Sequence, residues 1–411
     1  MNIIEKLVHE KLSKIPALKR VIRNIYQLVL SNFPSSDHFA YDIEIAKNHF
    51  FGFHDISPWS FDNKYILTHK LVQQKQSLST PVEIGLLCGQ TLNNYRRVGM
   101  SRCWNFQQGS RLQWIGRSHQ FLFNDHANNS VVSKVKNIEG EDLHTYKFPI
   151  YIVSNDGKSA LSFSFDRLGR GLAGYGYEFS QGKSAQEKIP SNEGLYLIDM
   201  KSEESTMLLS LRQAVSFQPE KDFFDSYHFF SHCLFSPSDK RIVFFHQWVT
   251  PTGLVKNRMF SLDTNGENIF LFPTDGMVSH ISWTSEDHII AYASTIHGGS
   301  GYYLFTDQND TFEKITTKKL SSDGHPHASK DGRWIITDTY PDRCRDQFLK
   351  LYDLKHNICE DLLKLRIPFF FRDEKRCDFH PRWDRETKLI CFDAVMDGTR
   401  SQCIMKVPLK P

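Results

Sequence analysis

A short phrase returns seven times along this chain, and it restricts the fold more than any other feature. Each copy has a polar or aromatic start, a few apolar residues, a turn of Ser, Pro, Asp or Gly type, and then an alternating apolar run. The copies are HDISPWSFD from His54 to Asp62, LQWIGRS from Leu112 to Ser118, IYIVSNDG from Ile150 to Gly157 and HCLFSPSD from His232 to Asp239. The last three are HISWTSED from His280 to Asp287, HPHASKDG from His325 to Gly332 and HPRWDRE from His380 to Glu386. A unit of this size cannot bury its faces alone and has to stack on its neighbours. Five of the seven begin with histidine.

Each phrase reads as strand, tight turn, strand. Asp and Gly tolerate the left-handed backbone of such a turn, and the flanking runs are rich in the Ile, Val, Phe and Trp that suit a pleated, half-buried surface. Successive turns, counted from Ser57, Ile115, Ser154, Ser236, Thr284, Ser329 and Asp384, are mostly 39 to 58 residues apart. A four-stranded propeller blade takes roughly 40–50 residues. The one wide gap, Ser154 to Ser236, holds a glycine-rich polar stretch from Gly169 to Ser191 that reads as a long loop on one face. The expectation is an all-β, seven-bladed propeller over residues 41–411, preceded by a helical segment over residues 1–40. Alternating helices are absent from Phe50 onward, which disfavours an α/β fold.

The eight cysteines form no CxxC pair, and several sit inside apolar strand runs, as buried thiols of a cytoplasmic protein would. The first residues carry charges where a secretion signal would have an apolar stretch, and no run approaches the length of a membrane span. A formal net charge of +3 disfavours a nucleic-acid binder working through a broad basic surface, and no nucleic-acid motif is present. Ile3, Ile4, Leu7, Leu12, Ile15, Leu18, Val21, Ile22, Ile25, Leu28 and Leu30 fall near helical spacing. Lys6, Lys11, Lys14, Lys19, Arg20 and Arg23 are balanced only by Glu5 and Glu10. Such a basic amphipathic segment over residues 1–33 either makes peripheral contact with an anionic membrane face or packs on the propeller, broken in two at Pro16; packing on the propeller is the expected role.

In a blade of this kind the strand leading into the turn is the innermost one, so residues at its start converge on the central channel. His54, His232, His280, His325 and His380 hold that position. Imidazole is both a common metal ligand and a natural base near neutral pH. His325 and His327 alternate along one strand and would share a face; with His280 they would hold a divalent ion. Arg382, two residues after His380, and Arg400 offer forks for a carboxylate. Asn105, Gln107 and Gln108, beside Trp104, offer amides for sugar hydroxyls, with His54 and His380 as further binding residues. Tyr175 and Tyr177, in the long insert, offer phenols as proton donors. Each of these side chains also has a plain structural alternative, as an inter-blade hydrogen bond, an ion pair or loop filling. No phosphate-binding glycine loop, GxSxG elbow or HExxH is present, which disfavours kinase, serine-hydrolase and zincin chemistry.

The repeats resemble those of TolB-like and oligogalacturonate-lyase-like propellers. The phrases GFHDISPW from Gly52, WNFQQG from Trp104, DGHPH from Asp323, TDTYP from Thr337 and DFHPR from Asp378 are similar to those of seven-bladed polysaccharide lyases. The resemblance covers roughly residues 45–410 and implies a manganese ion, held by histidines and a glutamine, that binds a uronate carboxylate, while a separate histidine removes the C5 proton. Carried onto this chain, it implies His280, His325 and His327 as ligands and His232 as base. The glutamine has no counterpart; Ser322 stands near its place. Ulvan-type propeller lyases use histidine and tyrosine instead, for which His126 and Tyr175 or Tyr177 would serve, without an arginine at a comparable distance. The expected function is a cytoplasmic lyase that cleaves acidic, uronate-containing oligo- or polysaccharides by β-elimination. A metal-dependent hydrolase, or a non-catalytic saccharide- or protein-binding propeller associated with polysaccharide biosynthesis, remains the alternative.

Overall fold

A computed structural model describes residues 16–30, 35–73, 76–178 and 186–409, without the side chains of residues 16–20. Its 29 strands make seven antiparallel sheets, the blades of a propeller. The inner strands are His49–Phe50, Gln113–Trp114, Ile152–Val153, Tyr227–Phe235, Val278–Trp283, His327–Ala328 and Arg382–Trp383, in blades 1 to 7. All seven repeated phrases lie at the entry to, or in, the first hairpin of a blade, including the two that lack histidine.

The turns follow from local side-chain chemistry. Ser60 donates to Asp62 and accepts from the Tyr65 amide, and Asp62 accepts from the Lys64 amide. The same arrangement recurs at Ser154 with Asp156 and at Ser329 with Asp331. The residue that closes each of these turns is left-handed: Asn63, Gly157 and Gly332. At Gly332 a Cβ would stand 2.0 Å from the Thr284 carbonyl of the preceding blade, so glycine is required there both for conformation and for close approach.

The ring closes by strand addition. Ile43–Lys47 pairs with Thr399–Lys406 as the outermost strand of blade 7, and His38–Phe39 adds a fifth strand to blade 6. The long insert lies between the second and third strands of blade 3. It contains the helix Phe165–Gly171, capped by Ser164. A further excursion with the helix Leu211–Ser216 joins blades 3 and 4. All eight cysteines are unbonded, six of them buried.

The described helix runs Pro16–Leu30 (α1), and proline's fixed φ suits its first helical position. The other residues of the 1–33 segment lie outside the described residues. Packing of this segment on the propeller was the expectation. The described part touches the propeller through polar side chains: Gln27 donates to the Asp342 carbonyl and accepts from Arg345, and Arg23 pairs with Asp373, while Val21, Ile22, Ile25 and Val29 are exposed. Among the described residues no helix is long and apolar enough to cross a membrane.

Candidate functional site

The inner strands bring five histidines of the sequence pattern together on the propeller axis. His54, His232, His280, His325 and His380 are all buried, none more than 6 % exposed. The ring centroids of His280 and His325 are 4.0 Å apart, those of His325 and His380 4.3 Å, and those of His54 and His325 5.4 Å. Phe53 stands at the centre, its ring between 4.7 and 5.9 Å from all five. His232 and His380 are held with φ of +52° and +43°. That conformation is costly for a side chain with a Cβ and persists only where surroundings enforce it. In blade 4 it coincides with a bulge between Ser231 and Leu234, and a second bulge, between Val278 and Ile281, carries His280.

Buried carboxylates organise the ring. Asp338 accepts from the His325 amide at 2.8 Å, from His325 Nδ1 at 2.7 Å and from the His380 amide at 3.0 Å. Because the carboxylate accepts, Nδ1 carries the proton, and in the neutral ring Nε2 presents its lone pair to the channel. Burial opposes charge on His325, but Asp338 outweighs it and raises the pKa above the ordinary value. The other four move the opposite way. Burial lowers His54, His232, His280 and His380, and charge on the neighbouring His325 adds to it. These four are neutral imidazoles at neutral pH. Ser279 bridges His280 Nδ1, at 3.0 Å, to Asp323, at 2.7 Å.

The ligand atoms of His325, Asp378 and His380 lie within 4.8 Å of one another. His325 Nε2, His380 Nε2 and Asp378 Oδ1 are buried without a hydrogen-bond partner, as is Asp323 Oδ1. Two imidazole nitrogens and carboxylate oxygens suit a divalent ion such as manganese, and their lack of partners fits such a ligand.

The remaining candidates are distributed otherwise. His327 stands apart from the ring, on the turn side, where its Nδ1 accepts from the Trp383 amide at 3.3 Å and its side chain lines a cavity of about 730 Å³ with Asp55, Lys330 and Arg385. The strand of blade 6 starts only at His327. His325 precedes it, so strand alternation does not put the two rings on one face. The same reason separates His380 from Arg382. The Arg382 guanidinium is fully buried against the Phe53 and Gly52 carbonyls and Asp393. Arg400 donates to the Lys375 and Arg376 carbonyls and lies over the Phe106 ring. Tyr175 reaches the ring, 5.9 Å from His232 and 6.0 Å from Phe53. Tyr177 stacks on Phe165 and bonds Asn124 behind it. Asn105 holds the Tyr175 loop through the Tyr175 and Gly176 carbonyls and accepts from the Gln107 and Gln108 amides. The side chains of Gln107 and Gln108 donate to the Arg376 carbonyl and Tyr151 and leave a buried oxygen each without a partner. His126 stands on the second strand of blade 2.

Sequence reasoning passed over Phe53, Asp323, Asp378, Arg376 and Tyr340. Arg376 donates to Tyr175 Oη at 3.0 Å and to Asp378 at 2.5 Å, and its guanidinium lies 5.5 Å from the Tyr340 ring. Arg376, Tyr340 and Asp323 are half-buried and, with the buried Tyr175, form the mouth side above the histidines. The signal for two of them was present: Asp323-Gly-His325 and Asp378-Phe-His380 repeat an Asp-x-His spacing at the entries to blades 6 and 7.

The fold and this ring define the class: a seven-bladed propeller with a histidine-rich axial site. Among solved structures, the chain is similar to an oligogalacturonate lyase in complex with manganese, with 14 % identity, coverage of 92 % of this chain and 97 % of that one, and a TM-score of 0.64. It is also similar to the oligogalacturonate lyase of Vibrio parahaemolyticus, with 13 % identity, coverage of 92 % and 99 %, and a TM-score of 0.63. At these identities the likeness establishes a shared fold. No protein-family model matches the chain, and no curated protein does.

Proposed function

We propose that this protein is a lyase acting on uronate-containing oligo- or polysaccharides by β-elimination at the axial histidine site, in the cytoplasm. The observation that carries the reading is the set of buried, unpartnered imidazole and carboxylate lone pairs at His325, His380 and Asp378, under a mouth bearing Arg376 and Tyr175. His325, His380 and Asp378 would hold a divalent ion, manganese being the ion of the similar lyase structure, and the bound ion would supply stabilisation for charge developing on the uronate carboxylate. Among the chain's own groups, Arg376 grips the carboxylate at the mouth. His232, kept neutral by burial, with the charge of Arg111 adding to it, takes the C5 proton. Tyr175 stays protonated because burial raises its pKa against the opposing effect of Arg376. Arg376 donates to its oxygen, which leaves the phenolic proton free to go to the departing glycosidic oxygen.

The test is ultraviolet absorbance of the unsaturated uronate product from a panel of such saccharides, with and without manganese. A chelator-sensitive rise that His232→Ala abolishes, at unchanged melting temperature, is expected. No rise across the panel would overturn the lyase reading. One observation favours a second reading, a non-catalytic saccharide-binding propeller: Phe53 occupies the centre of the ring and denies a sugar the axis itself. Saccharide binding without turnover would decide for it.

A further inference from the structure

Helix α1 is attached to the propeller the wrong way round for a helix of a soluble protein. Its apolar residues Val21, Ile22, Ile25 and Val29 recur at spacings of three, four and seven and form one stripe. In a soluble fold that stripe faces the core. Here it is 42–60 % exposed, and the helix is held to blade 6 by its polar side, through Gln27 and Arg23. Charge is concentrated in the same segment. Residues 1–33 contain six basic and two acidic residues, a net +4, against +3 for the whole chain, so the other residues together carry −1. An apolar stripe on a segment that holds the chain's positive excess matches an anionic lipid surface, where acyl chains take the stripe and headgroups take the charge.

The place of attachment sets an orientation. The contacts of α1 are Asp342, Arg345 and Asp373, in the loops that also carry Tyr340 and Arg376. These loops are on the mouth side of the histidine ring, opposite the turn-side cavity. We propose that α1 docks the protein on an anionic membrane surface with the mouth side of the channel turned toward the lipid.

Co-sedimentation of the full chain with phosphatidylglycerol and with phosphatidylcholine vesicles tests the docking. Binding to the anionic vesicles only, weakened by salt and reduced about tenfold or more by Ile25→Glu with Val29→Glu, is expected. Both substitutions are on exposed positions, so the melting temperature serves as the check on folding. Equal binding by the variant, or none by the native chain, would overturn the proposal. So would a concentration-dependent dimer, seen by light scattering without vesicles and abolished by the variant, which would assign the stripe to a second copy. Orientation is read with a fluorophore at Glu374→Cys, near the mouth, or at Lys330→Cys, on the turn side, with Cys88 and Cys344 replaced by serine. Brominated lipid should quench the first more than the second; the reverse order would overturn the orientation.

Discussion

Replacing Asp338 with asparagine tests how the axial site is held. The carboxylate is fully buried and accepts three N–H groups, two from His325 and one from the His380 amide. Asparagine offers one acceptor oxygen and an NH₂ group, so at least one of the three donors must face another donor. An unsatisfied buried donor costs about 1–3 kcal/mol, and each surviving bond loses roughly 1 kcal/mol with the charge. A loss of about 3 kcal/mol follows. With an unfolding entropy of about 2.1 cal/mol/K per residue, a propeller of this length should melt about 4 °C lower. The second consequence is local. His325 Nδ1 loses the group that fixes its tautomer and ring orientation, which should weaken manganese binding about 10–100-fold in titration calorimetry. Asp307→Asn is the control. Asp307 pairs with the buried Arg241, in blade 4, away from the axis, so a similar melting loss should leave manganese binding unchanged. If Asp338→Asn melts lower but binds manganese like the native protein, His325 is not a ligand and the site reasoning fails.

Two further outcomes are expected. Burial lowers His49 and His228 to about 4 and His69 to about 3, so the unfolded chain takes up their protons first as pH falls below about 6.5; stability is full above that value and is lost toward pH 4, by about 1.4 kcal/mol per pH unit for each group. Chemical denaturation that is flat from pH 7 to 5 would contradict this. Arg382→Met should cost about 3–5 kcal/mol, because it leaves Asp393 buried without its charge partner, and Asp393→Asn in the same chain should recover part of the loss; an unchanged melting temperature would refute the structural role.

The turns were legible because they are local: Ser60 with Asp62 and Ser329 with Asp331 settle a hairpin within a few residues. Convergence of five histidines followed from repetition alone, since equivalent positions of a closed ring must meet. Side-chain direction was not legible. Strand alternation was applied to His325 with His327 and to His380 with Arg382, yet in both blades the two-residue strand begins after the first histidine, and His380 is left-handed. Asp378 and Asp323 were legible only as a repeated Asp-x-His spacing, which says nothing of the contacts their carboxylates make. The amphipathic pattern of α1 specified a stripe but not its direction, which is set by single contacts of Gln27 and Arg23 with blade 6.

The energetics of the ring argue for a cationic ligand over a purely structural core. A core selected only for stability would fill the axis with apolar side chains, as Phe53 does. Instead the chain buries imidazoles and carboxylates, and holds two of the histidines in a left-handed backbone. Each buried polar atom left without a partner costs about 1–3 kcal/mol. Protons relieve little of this: only His325, beside Asp338, is shifted toward its charged form, burial lowers the other four, and imidazoles 4–6 Å apart in a low-dielectric interior repel when charged. A divalent ion between His325, His380 and Asp378 would satisfy several of these atoms together with a single charge centre. Phe53 blocks the ring itself, so a substrate carboxylate could meet that centre only from the mouth, where Arg376 and Tyr175 stand. The same geometry therefore separates the two readings: the lyase needs the sugar's C5 within reach of His232 from the mouth side, 5.9 Å across from Tyr175, whereas a binding platform does not.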